Sequence, residues 1–517
     1  MTCLYRTLTL GMIHPFRGCA VPKTAFNTLF IVIDQLRADC VFGPLAAHLD
    51  LPNIRAVADD GVRFLNHYSV TAPCGPSRVS LLTGQYASNH GAVRNGTPLK
   101  SDTPTVATAL SDAGIEPLLF GYSDTSHDPR FLEANDPRLF SYEEVAPGFT
   151  EACRMRLEGD YSAWESHLQA QGYDVPPYPE LYRPVGDSPA SPAFYAAEHS
   201  DTAFLTDQTL DHLKQREPGW FAHVTYIRPH PPFVAPAPYN TMYSAEDMPV
   251  PKAANANWHP FVGSAHDASS VASTVVGFPD LRPSDETTQM IRALYFGLAT
   301  EVDHHVGRLI EWLKASGQYD TTLIVLTADH GEMLGDYGLW GKRSFHDACF
   351  HVPLILRHPA TGAKGLTVTA PTESIDIAPT LLDALSVDIP HSMNGRSLLP
   401  LLSGETPDDW RDFTVSELTF GDPIKPTPWQ RDLDLSLNEA NLAVLRRGDQ
   451  RLVQFAGKLK PILMDVSNGS EQENLSENSA HLQTMLDLTQ VMLWHRMANP
   501  DGTFARTLIT EDGVKVA

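Results

Sequence analysis

Cys74-Gly75-Pro76-Ser77-Arg78-Val79-Ser80-Leu81-Leu82-Thr83-Gly84 is the stretch from which the rest of the chain can be read. It has the form C-x-P-x-R-x-x-x-L-T-G. Proline fits the first turn of a helix, where its missing N–H costs nothing. Cys74 is therefore expected at a helix N-terminus, where free N–H groups and the helix dipole favour negative charge. An oxygen nucleophile and an anionic ester would both be stabilised there. Taken alone, a cysteine ahead of a helix is more often a buried structural residue. Pro76, Arg78 and Leu82-Thr83-Gly84 around it argue for chemistry instead.

Working outward, Thr28–Asp34 is a short β-branched run that fits a buried parallel strand. It ends in Asp34-Gln35. Thr322–Ala328 is a second such run, ending in Asp329-His330-Gly331-Glu332. Open α/β sheets place ligands at the carboxyl ends of their strands. A carboxylate beside an imidazole makes a good pair of metal ligands, and Gly331 lets the backbone turn tightly beside them. Pro117–Tyr122 and Trp220–Tyr226 read as further strands. The second leads into Arg228-Pro229-His230-Pro231-Pro232-Phe233. A histidine between prolines cannot lie inside a helix or a central strand, and its stiff backbone suits a positioned group. Strand ends hundreds of residues apart converge only in a doubly wound sheet. The expected fold is α/β: a doubly wound mixed sheet with helices on both faces, plus a smaller C-terminal α+β domain.

The Cys74–Gly84 string, followed by Asp329-His330-Gly331, resembles the signature of the type I (formylglycine) sulfatases of the alkaline phosphatase superfamily. The similarity is greatest to their phosphonate monoester hydrolase and arylsulfatase branch. It implies an alkaline-phosphatase-like sheet and a hydrolase of sulfate monoesters, phosphonate monoesters and phosphodiesters. In that family the cysteine, here Cys74, is oxidised to formylglycine by a formylglycine-generating enzyme, and the aldehyde works as its hydrate. The resemblance implies one divalent ion, Mn²⁺, Ca²⁺ or Mg²⁺, held by Asp34, Gln35, Cys74, Asp329 and His330. It assigns catalytic roles to Arg78, His230 and Lys342 beside Cys74. Arg78 supports the hydrate, Lys342 bridges nucleophile and substrate, and His230 or Lys342 protonates the leaving alcohol. Gln35, Asn95, Tyr122 and Asp124 are expected around a small anionic ester. Three positions depart from family patterns. Gln35 replaces one residue of an acidic pair, Tyr122 replaces a sulfate-binding lysine, and Asp124 stands where the phosphonate branch usually has threonine. Without the resemblance, Asn95 reads as a turn residue, Tyr122 as a core aromatic and Lys342 as a surface lysine.

The formal net charge of −24 argues against nucleic acid and anionic membranes as partners. No segment is long and apolar enough to span a bilayer. The six cysteines are scattered, with no zinc spacing or disulfide framework, so a cytoplasmic protein is expected. At 517 residues the chain exceeds one simple core. Residues 1–24 read as an extension, 25–402 as the catalytic domain, and 403–517 as the C-terminal subdomain and tail. Within the catalytic part, 235–283 reads as a long insertion loop, expected to be a lid or a subunit contact. Residues 135–200 read as an insertion over the sheet edge. The resemblance further implies a homo-oligomer, a tetramer or dimer. Two other readings remain open: a phosphomonoesterase relative, or a catalytically silent binding protein if Cys74 is not converted.

Overall fold

The computed structural model describes residues 26–253, 259–500, 507–511 and 513–516. The expected N-terminal extension, residues 1–24, lies outside them. The β-branched run becomes strand β1 (Asn27–Ile33), buried along its whole length. It lies inside an eight-stranded sheet whose other strands are β2 (Val62–Phe64), β3 (Pro117–Gly121), β4 (Thr150–Arg154), β5 (Phe221–Tyr226), β6 (Thr322–Thr327), β7 (Leu354–Arg357) and β8 (Leu366–Val368). The order across the sheet is β8-β2-β7-β6-β1-β5-β3-β4. Strands β6, β1, β5, β3 and β4 are mutually parallel, so their carboxyl ends share one edge. Strand β7 runs antiparallel to both of its neighbours, which makes the sheet mixed.

Both faces of the sheet are covered, which explains why β1 is apolar without interruption. Leu29, Ile31 and Ile33 share a core with Leu294, Leu298, Val302 and Leu309 of the long helix Asp285–Ala315. Phe30 and Val32 face the other way, into a core with Leu81, Leu82, Leu381 and Leu382. Ser284 caps the long helix by accepting from Thr287 N, as its sequence anticipates.

The expected nucleophile helix, Cys74–Thr83, is buried throughout. It ends at Gly84, whose φ of 64° is the left-handed region glycine tolerates. The backbone N–H groups of Asn394 and Gly395 both donate to Gly84 O, tying down the helix exit. Its entry is tied to a second sheet. There β9 (Thr414–Thr419), β10 (Asn441–Arg447), β11 (Gln450–Phe455) and β12 (Ile462–Asp465) form an antiparallel ladder. Thr71–Ala72, just ahead of the helix, pairs parallel to β9 opposite Glu417 and Leu418. A piece of chain from the first hundred residues thus completes the C-terminal sheet and carries the signature helix into the main one.

Three segments differ from their sequence reading. The stretch 135–200 contains an edge strand, β4, with exposed residues at both ends and no clean alternation to mark it. The expected loop 235–283 contains a helix, Pro260–Ala268, whose Phe261 packs against Trp429 of the C-terminal region. Strand β12 was not anticipated; its four residues are too short a run to be read without their neighbours.

Candidate active site

Neighbouring parallel strands place the singled-out residues side by side. Asp34-Gln35 follows β1, Asp329-His330 follows β6, Arg228 to His230 follow β5, and Tyr122 to Asp124 follow β3. The Cys74 helix N-terminus points into this edge. Ser77 Oγ donates to Asp329 O (2.5 Å), joining helix and strand end.

Asp34, Cys74, Asp329 and His330 each offer one ligand atom, and these atoms lie within 4.8 Å of one another. Cys74 Sγ is 3.2 Å from His330 Nε2. Asp34 Oδ2 accepts from Arg78 Nη2 (3.1 Å) and from the Tyr122 hydroxyl. Asp329 Oδ1 accepts from the backbone N–H groups of Gln35 and His330. The two remaining oxygens, Asp34 Oδ1 and Asp329 Oδ2, are buried and make no hydrogen bond. They lie 3.8 and 3.6 Å from His330 Nε2. Buried carboxylate oxygens are rarely left without a partner. Two of them aimed at one imidazole and one cysteine fit a bound cation. Carboxylate oxygens and an imidazole nitrogen are ordinary donors to a divalent cation. Cys74 Sγ stands where the oxygens of an oxidised side chain would be.

Arg78 is the hub of the charges. Its guanidinium pairs with Asp34, lies 3.1 Å from Asp329 Oδ2 through Nε, and donates through Nη1 to Thr225 Oγ1 (2.5 Å). It also covers the Tyr122 ring at 4.1 Å. Burial and the Asp34 charge push the Asp329 carboxyl up. Burial, then Asp34, likewise pushes the Cys74 thiol up, so the unmodified thiol is a poor nucleophile here. Across the site, Lys342 Nζ lies 3.1 Å from Cys74 Sγ and 2.8 Å from His230 Nε2, and donates to Gln35 Oε1 at 2.7 Å. Burial opposes the Lys342 charge, but Cys74, Asp34 and Asp329 hold its pKa above the ordinary lysine value. Burial and the Lys342 charge push His230 down to about 3, so it is neutral and its Nε2 accepts from Lys342. Its Nδ1 then donates to Pro231 O (2.5 Å).

The remaining expected residues sit close by. Gln35 donates its side-chain amide to Glu332, whose carboxylate also accepts from Leu334 N and Gly341 N and so braces the loop that carries Lys342. Asn95 is exposed, and its Oδ1 accepts from Gly75 N (3.0 Å), so it caps the free end of the signature helix. Asp124 is buried, with Oδ2 4.0 Å from Arg78 Nε. Burial, with Glu143 and Asp34 adding to it and Arg78 opposing, pushes its pKa well up, which disfavours the anion that would repel substrate. A cavity of about 160 Å³ beside Lys342 is lined by Arg343, Trp340, Trp429 and by Ala265 and Ala268 of the 235–283 segment. Sequence reasoning assigned nothing to Ser77, Thr225 or Glu332. Thr225 had a readable signal, since it lies one residue before the end of its strand, close to where Asp34 and Asp329 follow theirs.

Comparison with known proteins identifies the family and the fold. The sulfatase family profile matches residues 27–387. The chain is 36% identical to the multifunctional alkaline phosphatase superfamily protein PehA of Trinickia caryophylli, over 95% of this chain and 99% of that protein. The structure of a phosphonate monoester hydrolase from Silicibacter pomeroyi superposes with a TM-score of 0.93 at 52% identity, covering 95% of this chain and 99% of that one. A phosphonate monoester hydrolase of Agrobacterium radiobacter gives 0.90 at 36% identity, with the same coverage.

Proposed function

The chain belongs to the sulfatase family, and from that premise we propose that it hydrolyses sulfate monoesters, phosphonate monoesters and phosphodiesters in the one site built around Cys74. The observation that carries the reading is the buried cluster of Asp34, Cys74, Asp329 and His330, in which Asp34 Oδ1 and Asp329 Oδ2 accept no hydrogen bond. Asp34, Asp329, His330 and oxidised Cys74 would hold one divalent ion, with Gln35 beside them. Such an ion draws charge from the ester oxygens and favours the anionic form of a nearby oxygen nucleophile. Formylglycine, formed from Cys74 by a generating enzyme, supplies that oxygen from its hydrate. Its second hydroxyl allows the ester intermediate to release the anion.

The other groups act on charge and protons. Arg78, locked by Asp34, Thr225 and Tyr122, keeps a fixed positive charge at the base of the site. Lys342 reaches both residue 74 and His230, so it can bind an ester oxygen and pass a proton. Charged Lys342 protonates the leaving alcohol, either directly or through His230, whose Nε2 takes the Lys342 proton before passing it on. Asn95, Tyr122 and Asp124 surround the substrate's anionic oxygens from the signature-helix side.

A cytoplasmic location is supported by the four described cysteines, Cys40, Cys74, Cys153 and Cys349, which are all free. A homo-oligomer, dimer or tetramer, is supported by Leu482, Leu486, Leu493 and Met497, which lie exposed on the helix Leu482–Ala498. Light scattering after size exclusion tests it.

Mass spectrometry of the peptide holding Cys74, with metal analysis of the same sample, tests the catalytic reading. Conversion lowers the peptide mass. An intact thiol in protein that still turns over all three ester classes overturns the assignment. Comparing kcat/KM on an aryl sulfate, a phosphonate monoester and a phosphodiester then ranks the substrates.

A further inference from the structure

We propose that Arg228 is a positioning residue for His230, and that its buried pair with Asp201 sets the register of the Pro229–Phe233 loop. Three of the four residues from Pro229 to Pro232 have no backbone N–H. Only His230 donates, to Ile227 O at 2.9 Å. Such a run cannot be held by a strand ladder, so its carbonyls must find donors elsewhere. One guanidinium supplies them. Arg228 Nη1 donates to His230 O (3.1 Å) and to Pro232 O (2.9 Å), bracketing the histidine from both sides.

Arg228 is itself anchored. Its Nε donates to Asp201 Oδ2 at 3.0 Å, in an ion pair with side chains 1% and 3% exposed. Asp201 opens the helix Asp201–Leu213, a rigid element packed under the sheet. The Tyr182 ring lies against the guanidinium at 4.5 Å and closes it off from water. A chain of contacts thus runs from a helix N-terminus through Asp201 and Arg228 to the His230 backbone, and from His230 Nε2 to Lys342 Nζ. No member of this chain before His230 reaches Cys74. Arg228 acts only by fixing where the imidazole sits.

The inference rests on the hydrolytic reading above for its kinetic consequences, and on geometry alone for its structural one. Arg228→Lys keeps a cation for Asp201 but cannot span both carbonyls. If His230 is displaced, leaving-group protonation suffers most where the leaving alcohol is basic. Arg228→Lys should therefore lower kcat/KM for an unactivated alkyl ester by roughly 10- to 100-fold, and for a nitrophenyl ester by less than about threefold. Arg228→Lys combined with His230→Ala should be no worse than His230→Ala alone. A loss equal on both esters, or one additive with His230→Ala, overturns the proposal. Asp201→Asn leaves the guanidinium in place and loosens its anchor, so it gives the same pattern in weaker form if Arg228→Lys fails to fold. A crystal structure of either variant needs no turnover. The contact between His230 Nε2 and Lys342 Nζ, 2.8 Å in the native chain, should open. An unchanged contact in the variant overturns the proposal even if the chain hydrolyses neither ester, whereas a contact that opens in the variant, with a wild type that hydrolyses neither ester, overturns only the hydrolytic reading.

Discussion

Two buried groups in this molecule have the same ingredients, two carboxylates and one arginine, and differ in completeness. In the first, Glu373 and Asp376 surround Arg411. All four carboxylate oxygens there are hydrogen-bonded, to Arg411, Tyr86 and the backbone N–H groups of Glu373, Arg396 and Val415. In the second, Asp34 and Asp329 flank Arg78, and two oxygens accept no hydrogen bond, although Asp329 Oδ2 lies 3.1 Å from Arg78 Nε. The first group is satisfied by protein alone and ties the Ser374–Ala384 turn and helix to the start of the second sheet. The second keeps two oxygens free to ligate a cation that enters beside Cys74 and His330. Unpaired buried oxygens cost stability, and a fold keeps them where function uses them.

The sharpest way to break this contrast is to remove Cys74, which faces the second group, and Arg411, which centres the first, and read activity and stability together. Cys74→Ala should cut turnover by on the order of 10⁴-fold or more while leaving the thermal midpoint nearly unchanged. Cys74→Ser should stall after one turnover, measured as a burst without a steady state. Sustained turnover by the serine variant would refute the hydrate mechanism. Arg411→Met should cost about 3–5 kcal/mol in denaturant unfolding, because it strands two buried acids. That cost should be the same with and without divalent ion. Stripping the metal with a chelator should lower the unfolding free energy by roughly 3 kcal/mol relative to ion at about a hundredfold excess over Kd. Asp34→Asn should abolish that difference. If Arg411→Met abolishes it instead, the two groups have been assigned the wrong way round. In metal-free protein, Asp329→Asn should raise stability by on the order of 1 kcal/mol, since it relieves a carboxylate held up by burial and by Asp34.

Glu301 offers the smallest test. Both of its oxygens are buried, and Glu301 lies outside the Asp34, Cys74, Asp329 and His330 cluster. Burial and the Asp201 charge push its pKa up to about 8, from an ordinary glutamate value of about 4.5. A raised carboxyl pKa means the folded state binds the proton more tightly. The contribution is fully present below the unfolded value and lost as pH rises through the folded one. Glu301→Gln should therefore flatten the decline in unfolding free energy between those two pH values. A wild-type curve flat over that window would remove Glu301 from the set of protonated buried acids.

Much of the fold was legible because its strands are buried on both faces. Thr28–Asp34 and Thr322–Ala328 are β-branched runs with acids at their ends, and the structure places both at the sheet centre. The segments that escaped reading lack this contrast. Strand β4 is half exposed, β12 is four residues long, and Thr71–Ala72 takes its strand character only from pairing with β9. Among site residues, Asp34, Cys74, Arg78, Asp329 and His330 carried local signals. Arg228 was visible as part of a proline-rich string, but nothing in the string says that its side chain turns back onto the carbonyls of His230 and Pro232.

Sequence alone determined which residue types could do the chemistry and which strand ends would carry them. Spacing, β-branching and the proline rule are properties of neighbours along the chain. Only the tertiary structure decided which oxygens of Asp34 and Asp329 stay unpaired, that Asp124 is buried close to Arg78, and that Arg228 holds His230 from behind. Burial and hydrogen bonding depend on groups brought together from distant parts of the chain, and no local pattern encodes which of them will meet.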